Sequence, residues 1–272
     1  SIITYLDRTS ISITGSQITQ DLHLSEKEFG WIMGSFAFAY GIFEIPVGLW
    51  GDFKGPKSVL FRIVLSWSLF TILTGFSYSF TMLFIIRFLF GIGEAGAYPN
   101  ATIVVARWFP KQEAGRAQSF IWIASRIGAA LAPFLSIYIM SIWGWRYVFY
   151  IFGGLGIVWA VFWVYWFQNE PKDMPGIQEA ELAHIELGRE VKVPQNNLAV
   201  FLKIIKTPNV WALMSMYHCL LYGAYFYLSW MPKYLKNGKG VDDAHIAFLA
   251  SLPFILGTIG CFSGGFLSDF IA

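Results

Sequence analysis

GLWGDFKGPKSV, residues 48–59, decides how the chain is read. It joins two apolar runs through a turn that carries Gly48, Asp52, Gly55 and Lys57, and a shortened copy, GFLSDF, recurs at 265–270. Glycine and aspartate stand four apart in both, as Gly48 with Asp52 and Gly265 with Asp269, and the copies lie 217 residues apart. A repeat of about 200 residues implies two homologous halves.

Outward from the motif, the chain is apolar enough for lipid. Of 272 residues, 56% are hydrophobic, 19% aromatic and only 13% charged, and mean hydropathy is +0.54; an ordinary soluble domain is about a quarter charged. A helix crossing the hydrocarbon core needs about 20 mainly apolar residues. Such runs fall near 1–20, 29–50, 59–79, 81–106, 117–140, 146–167, 209–232 and 245–268, and the stretch 147–167 carries no formal charge. The expected fold class is therefore all-α integral membrane, with eight spans present of an expected twelve. Residues 1–168 form a six-helix N-terminal half, 169–207 a cytoplasmic central linker, and 208–272 the first two helices of a truncated second half. Within the linker, 177–188 reads as one short amphipathic helix. The chain starts at Ser1 rather than Met, lacks the pattern of a cleavable leader and reads as a piece of a longer protein.

Lysine and arginine favour the cytoplasmic side of a membrane. With the first span running outward, that side receives Lys54, Lys57, Arg107 and Lys111 among ten basic residues, against five opposite. The net charge of +2 and the scatter of basic residues through loops give no nucleic-acid pattern. Cys219 and Cys261 fall inside spans and read as buried structural thiols. Trp31, Trp50, Trp67, Trp108, Trp143 and Trp145 read as an interfacial belt. No phosphate-binding glycine loop, metal-ligand cluster or nucleophile motif is present, so neither an enzyme nor a cofactor is expected.

The informative residues are charges inside spans: Asp7, Arg8, Glu44, Arg87, Glu94 and Arg126. A charge at the bilayer centre costs about 2.5–3.5 kcal/mol on the most lenient scale, so these six should face a cavity and one another. At 100° per residue, Glu94 returns to within about 20° of Arg87 on one helix face, with Gly91 and Tyr98 alongside, and Pro99 is placed to kink the span. An acid in a low-dielectric site can take up a proton whereas an arginine stays charged. Three acids against three arginines, one acid protonated, leave a net positive cavity suited to an anion. Static ion pairs that only fix packing are the competing reading.

The loop motif resembles the Gly-x-x-x-Asp-(Arg/Lys)-x-Gly-(Arg/Lys)-(Arg/Lys) motif of the major facilitator superfamily, with Phe53 and Pro56 departing from it. YLDR (5–8), RFLFGIGEAGAYPN (87–100) and YFYLSWMPKYL (225–235) narrow the resemblance to its anion:cation symporter branch, which holds bacterial sugar-acid transporters, sialin and vesicular glutamate transporters. The resemblance implies a multi-pass carrier in the inner (cytoplasmic) membrane, monomeric, with a small organic anion, protons and the lipid bilayer as partners. Asp7 and Glu94 match its protonatable acids, Arg8 its substrate-carboxylate arginine, Tyr5 and Tyr40 its cavity tyrosines, and Arg87 an arginine towards the outer side. Asp52 would help lock the two halves in the outward-facing state. Glu44, and the pair Ser125 and Arg126, depart from the sugar-acid transporter of the branch compared most directly, which has a glutamine at Glu44 and a substrate-contacting glutamine followed by an apolar residue at Ser125 and Arg126. Arg126 would suit a dicarboxylate such as an aldarate, or would neutralise Glu44 or Asp7; both stay open. His218, Tyr222 and Tyr225 are candidates for a cavity wall or gate. An anion exchanger, a facilitator and a non-transporting anion receptor remain alternatives; a drug antiporter is disfavoured because GAALAPFLSIY (128–138) lacks GPxxGG.

Overall fold

The computed structural model describes residues 1–186 and 204–271, without the side chains of 243–244 and 261–271. Its long helices are α1 (Ile2–Asp21), α2 (Glu26–Lys54), α3 (Pro56–Gly75), α4 (Phe80–Glu94), α5 (Ala97–Trp108), α6 (Ala114–Trp143) and α7 (Trp145–Trp166). A short α8 (Glu179–Glu186) lies inside the polar stretch. After it come α9 (Pro208–Tyr225) and α10 (Asp243–Ile271), and the chain between them winds in wide turns over Phe226–Trp230 and Tyr234–Gly238.

Among the described residues, five helical stretches are long and apolar enough to cross a membrane: α2, α3, α4 continued through α5, α6 and α7. α1 is too rich in serine and threonine to count among them, yet it is the most enclosed helix. Thr9, Ser10, Ser12, Thr14 and Ser16 are all buried. Three of these hydroxyls are satisfied inside the helix, Thr9 Oγ1 donating to Tyr5 O at 2.6 Å, Ser10 Oγ to Leu6 O at 2.5 Å and Thr14 Oγ1 to Ser10 O at 2.7 Å. Such back-bonding lets polar residues sit in an apolar interior without losing their partners.

Local chemistry sets the helix ends. Ser25 and Glu28 form a reciprocal capping box at the start of α2, and the Ser79 hydroxyl accepts from Met82 N at the start of α4. Pro56 opens α3, where its missing N–H has no helical partner to lose. The fourth span is interrupted at Ala95 and Gly96, not kinked at Pro99. Ala95 is extended and Gly96 has φ +80, a left-handed conformation that glycine adopts without steric cost. Pro99 is the third residue of α5, and Ala95, four residues back, lies outside the helix, so its carbonyl is not aligned to clash with the ring.

Among the described residues, α1 to α7 pack around two larger apolar cores and a small third one of Leu60, Trp163 and Phe167. One of the larger two joins α1, α2 and α4 to α6 and α7 through Ile11, Phe29, Leu83, Val148 and Phe149. The other joins α2, α3, α4 and α7 through Phe36, Val59, Trp67, Phe90 and Ala160. α3 and α7 share the most extensive interface, and Gly153 lies so close to Ser68 O that any β-carbon there would collide.

The second group meets the first at one end. Ser12 Oγ donates to Ser229 O at 2.6 Å, and Ser16 Oγ to Asn237 Oδ1 at 3.3 Å. The buried Lys233 Nζ stands 2.6 Å from Glu26 Oε2 and lies over the Phe29 ring. α10 runs along α6, where Ser251 Oγ donates to Ala130 O at 2.7 Å. α9, by contrast, buries none of its residues.

Three expectations need correction. Trp67 and Trp145 are buried within the bundle and do not belong to an interfacial belt. Trp67 belongs to the second core, and the Trp145 indole donates to Asp21 at 3.2 Å. Cys219 is exposed, because α9 turns no side chain into a core. The side chains of Cys261, Gly265 and Asp269 lie outside the described residues.

Candidate functional site

Four of the six in-span charges, Asp7, Arg8, Arg87 and Glu94, converge where α1, α2 and α4 meet. Asp7 is 1% exposed, Arg87 2% and Glu94 0%, so three ionisable groups are fully withdrawn from solvent. Arg8 Nε donates to Glu94 Oε1 at 2.6 Å across 86 residues of sequence. Its guanidinium lies in an aromatic cage, 4.5 Å from the Tyr40 ring centre, 5.4 Å from Phe36 and 5.7 Å from Tyr5. Arg87 lies over Phe90 at 4.4 Å and Phe36 at 5.0 Å, within electrostatic range of Glu94 and Asp7.

Asp7 has the poorest partnership of the set. The Trp67 indole lies beside it, yet neither Asp7 oxygen nor Trp67 Nε1 closes a hydrogen bond. Arg8 Nη2, Arg87 Nε and Glu94 Oε2 are also buried without a hydrogen-bond partner. A packing device would saturate such groups, because each unsatisfied buried group costs about 1–3 kcal/mol. The cluster instead keeps acceptors on its acids and donors on its arginines open.

Glu44 is reached indirectly. It accepts from Tyr40 OH at 2.8 Å, so one ring carries Arg8 on its face and Glu44 on its hydroxyl. Tyr98, beyond the break in the fourth span, shares a 2.8 Å hydrogen bond with the buried Ser125 of α6 and stacks on Trp122. It also lies within electrostatic range of Tyr5 and Arg8. The hydroxyl-bearing residues Tyr5, Tyr98 and Ser125 thus extend from Arg8 towards α6.

Arg126 is not drawn into the cluster. Among the described residues it makes no ion pair, its Nε is buried without a partner, and its guanidinium is wedged against Gly257 of α10. Tyr225 is half-buried within range of Arg8 and Glu94. His218 and Tyr222 are exposed on α9 and do not join the site. A cavity of about 590 Å3 touching Trp67 and Tyr98 opens between α3, α5, α6 and α7, beside the charge cluster and not at it; its walls are chiefly apolar.

The loop motif is built as a clamp. Gly55 adopts φ +81 and has Asn169 packed against its α-carbon. Asn169 Oδ1 accepts from Lys57 N at 2.9 Å, and Lys57 Nζ donates to Gln168 Oε1 at 3.1 Å. Gly48 leaves room for Pro99. Asp52 is exposed and makes no ion pair among the described residues. Asn169 and Gln168 were not singled out from sequence, although their place just after the last aromatic of span six marks them as helix-end residues. Trp67, Phe36 and Phe90 went unassigned to the site because an aromatic within an apolar run carries no mark of what lies over its ring.

Membrane-length helices, an interrupted span and a buried cluster of opposed charges mark a polytopic α-helical membrane protein. The Major Facilitator Superfamily model matches residues 1–272, and the chain belongs to that family. It is a multi-pass protein of the inner membrane. It is 31% identical over 268 residues to the "Probable sulfoacetate transporter SauU" of Cupriavidus necator, covering 98% of this chain and 62% of that one. It is 32% identical over 272 residues to the "Probable L-galactonate transporter" of Escherichia coli K12, covering 100% and 60%. With the "Probable galactarate/D-glucarate transporter GudP" of Bacillus subtilis it shares 34% over 289 residues, covering 99% and 62%. The chain thus spans about three fifths of the length of these relatives. A bacterial homologue of the lysosomal transporter Spinster has the same fold, with TM-score 0.75 at 22% identity over 100% of this chain and 60% of that one.

Proposed function

We propose that the protein is a secondary active transporter that imports an organic anion of the sugar-acid class together with protons, by alternating access. The observation that carries this reading is the buried Arg8–Glu94 pair at 2.6 Å beside an Asp7 whose oxygens are both unpaired. The sugar-acid and sulfoacetate transporters among its relatives support the cargo class.

The coupling follows from the pair. While Glu94 is charged it occupies Arg8, and an incoming carboxylate must compete with it. Breaking a buried pair with nothing in its place costs about 3–5 kcal/mol. A proton on Glu94 alone strands Arg8, and an anion alone strands Glu94; only the two ligands together leave every charge compensated. Asp7 accepts the second proton, Arg8 holds the cargo carboxylate, and Tyr5, Tyr40 and Ser125 receive its hydroxyls. Arg87 balances the acids and Glu44 positions Tyr40.

Residues 1–168 form one half, 169–207 the linker, and 208–272 the opening of the other half. The contacts of Ser12, Ser16 and Glu26 with residues 229–237 seal the outer end. Gly48, Asp52, Gly55 and Lys57, with Gly265 and Asp269, govern the closing of the inner end. Cargo moves because protons and anion together bind the two arrangements with different affinity.

The test is uptake of labelled hexonates, hexuronates and aldarates into proteoliposomes holding the full-length protein, driven by an imposed pH gradient. Accumulation that collapses with the gradient supports the reading. Transport indifferent to pH would make the protein an exchanger or facilitator, and binding without counterflow a receptor.

A further inference from the structure

The three in-span acids are accounted for: Glu94 bonds Arg8, Glu44 accepts from Tyr40, and Asp7 lies within range of Arg87. None reaches Arg126, which therefore does not act as their counter-charge. Its Nε is buried and unpartnered, and one terminal nitrogen rests where a side chain on Gly257 would stand, 2.5 Å from the position of that β-carbon. An arginine is always charged and presents five donors in a fixed fork suited to a carboxylate, sulfonate or phosphate. This one is held at a contact between α6 and α10.

Its neighbour in sequence connects it to the first anchor. Ser125 is hydrogen-bonded to Tyr98, and Tyr98 lies within electrostatic range of Tyr5 and Arg8. Arg8 on α1 and Arg126 on α6 are thus joined through a chain of three hydroxyl-bearing side chains, Arg126 by the backbone next to Ser125. Resting on the reading of the protein as an organic-anion carrier, we propose that Arg126 is a second anion anchor and that the cargo is a dianion with an acid group at each end and hydroxyls between. Gly257 is a positioning residue, since its lack of a side chain seats the guanidinium against α10.

The experiment compares galactarate, a diacid, with galactonate, the matching monoacid, in proteoliposomes of the full-length wild type, Arg126→Gln, Arg126→Lys and Gly257→Ala. The readout is the ratio of kcat/KM for the two acids. The wild type is expected to favour the diacid, and Arg126→Gln to lower the ratio about tenfold, the effect of one charged hydrogen bond. Arg126→Lys should fall between them. Gly257→Ala, which keeps every charge but displaces the guanidinium, should lower the ratio even if Arg126→Gln fails to insert. A wild type that favours the monoacid, or variants that lower both rates in proportion, would overturn the second anchor while leaving the carrier reading intact. Failure of every acid to be transported by the wild type would overturn the carrier reading itself.

Discussion

Glu94→Gln isolates the proposed coupling step, because the amide copies the shape of a protonated carboxyl and cannot ionise. In the wild type, cargo must displace Glu94 from Arg8 or wait for its proton. Each proton taken up with the anion makes affinity fall up to about tenfold per pH unit above the acid's titration, which corresponds to 1.36 kcal/mol per unit. Two coupled acids give up to about a hundredfold per unit. The variant loses one proton from this relation and keeps at most the single-proton slope of Asp7. Arg8, freed of a carboxylate that is 0% exposed and 2.6 Å away, should bind anion more tightly than wild type at pH 8 and comparably at low pH. Cargo affinity measured by calorimetry between pH 5.5 and 8.5, together with accumulation and counterflow in proteoliposomes, tests this. Counterflow should persist while proton-driven accumulation is reduced. A variant that retains the wild-type slope and accumulates cargo undiminished would refute the assignment of Glu94 as a proton carrier.

Other outcomes follow from neighbouring residues. Asp7→Asn should likewise reduce accumulation but not counterflow, whereas Arg8→Ala should abolish saturable binding; equal behaviour of the two in a binding assay would contradict their division of labour. Gly55→Ala places a β-carbon at φ +81 within 2.8 Å of Asn169 and should destabilise the fold by about 1–3 kcal/mol, read as a lower unfolding temperature in detergent. The Arg146 guanidinium, donating to Asp21 at 2.5 Å, holds the Asp21 carboxyl below the usual carboxylate range. Its contribution to stability is therefore full above the unfolded-state pKa of about 3.9 and is lost as pH falls through the lower folded value. With these side chains 37% and 46% exposed, that contribution stays below about 1 kcal/mol. Asp21→Asn should lower the unfolding temperature slightly at pH 7, and the difference should vanish in acid.

How far the sequence could be read depended on the range of each interaction. Arg87 and Glu94 share a face because seven residues make nearly two helical turns, a relation internal to one helix. That Arg8 and not Arg87 bonds Glu94 depends on how α1 crosses α4, and nothing within either segment encodes that crossing. Pro99 looked like the point of bending, but a proline is tolerated in a first helical turn, and the left-handed Gly96 three residues earlier makes the break. Trp67 resembled a belt residue because its run carries no sign of which side faces Asp7. His218 sits on a helix whose residues are all at least partly exposed, so its chemistry gave no guide to its position.

The interruption at Ala95 and Gly96 also reshapes the field inside the bundle. A continuous span would carry one macrodipole with its ends at the membrane surfaces; the break makes two shorter ones, head to tail. Each helix end carries roughly half an elementary charge. The carbonyl end of α4 falls at Glu94, whose side chain accepts from Arg8, and the N–H end of α5 falls at Ala97 and Tyr98, whose phenol meets the Ser125 hydroxyl. The backbone itself thus lays a fixed polarity across the site, negative where a cation is held and positive where the hydroxyl row begins. No change of protonation or side chain can erase that polarity while the break persists.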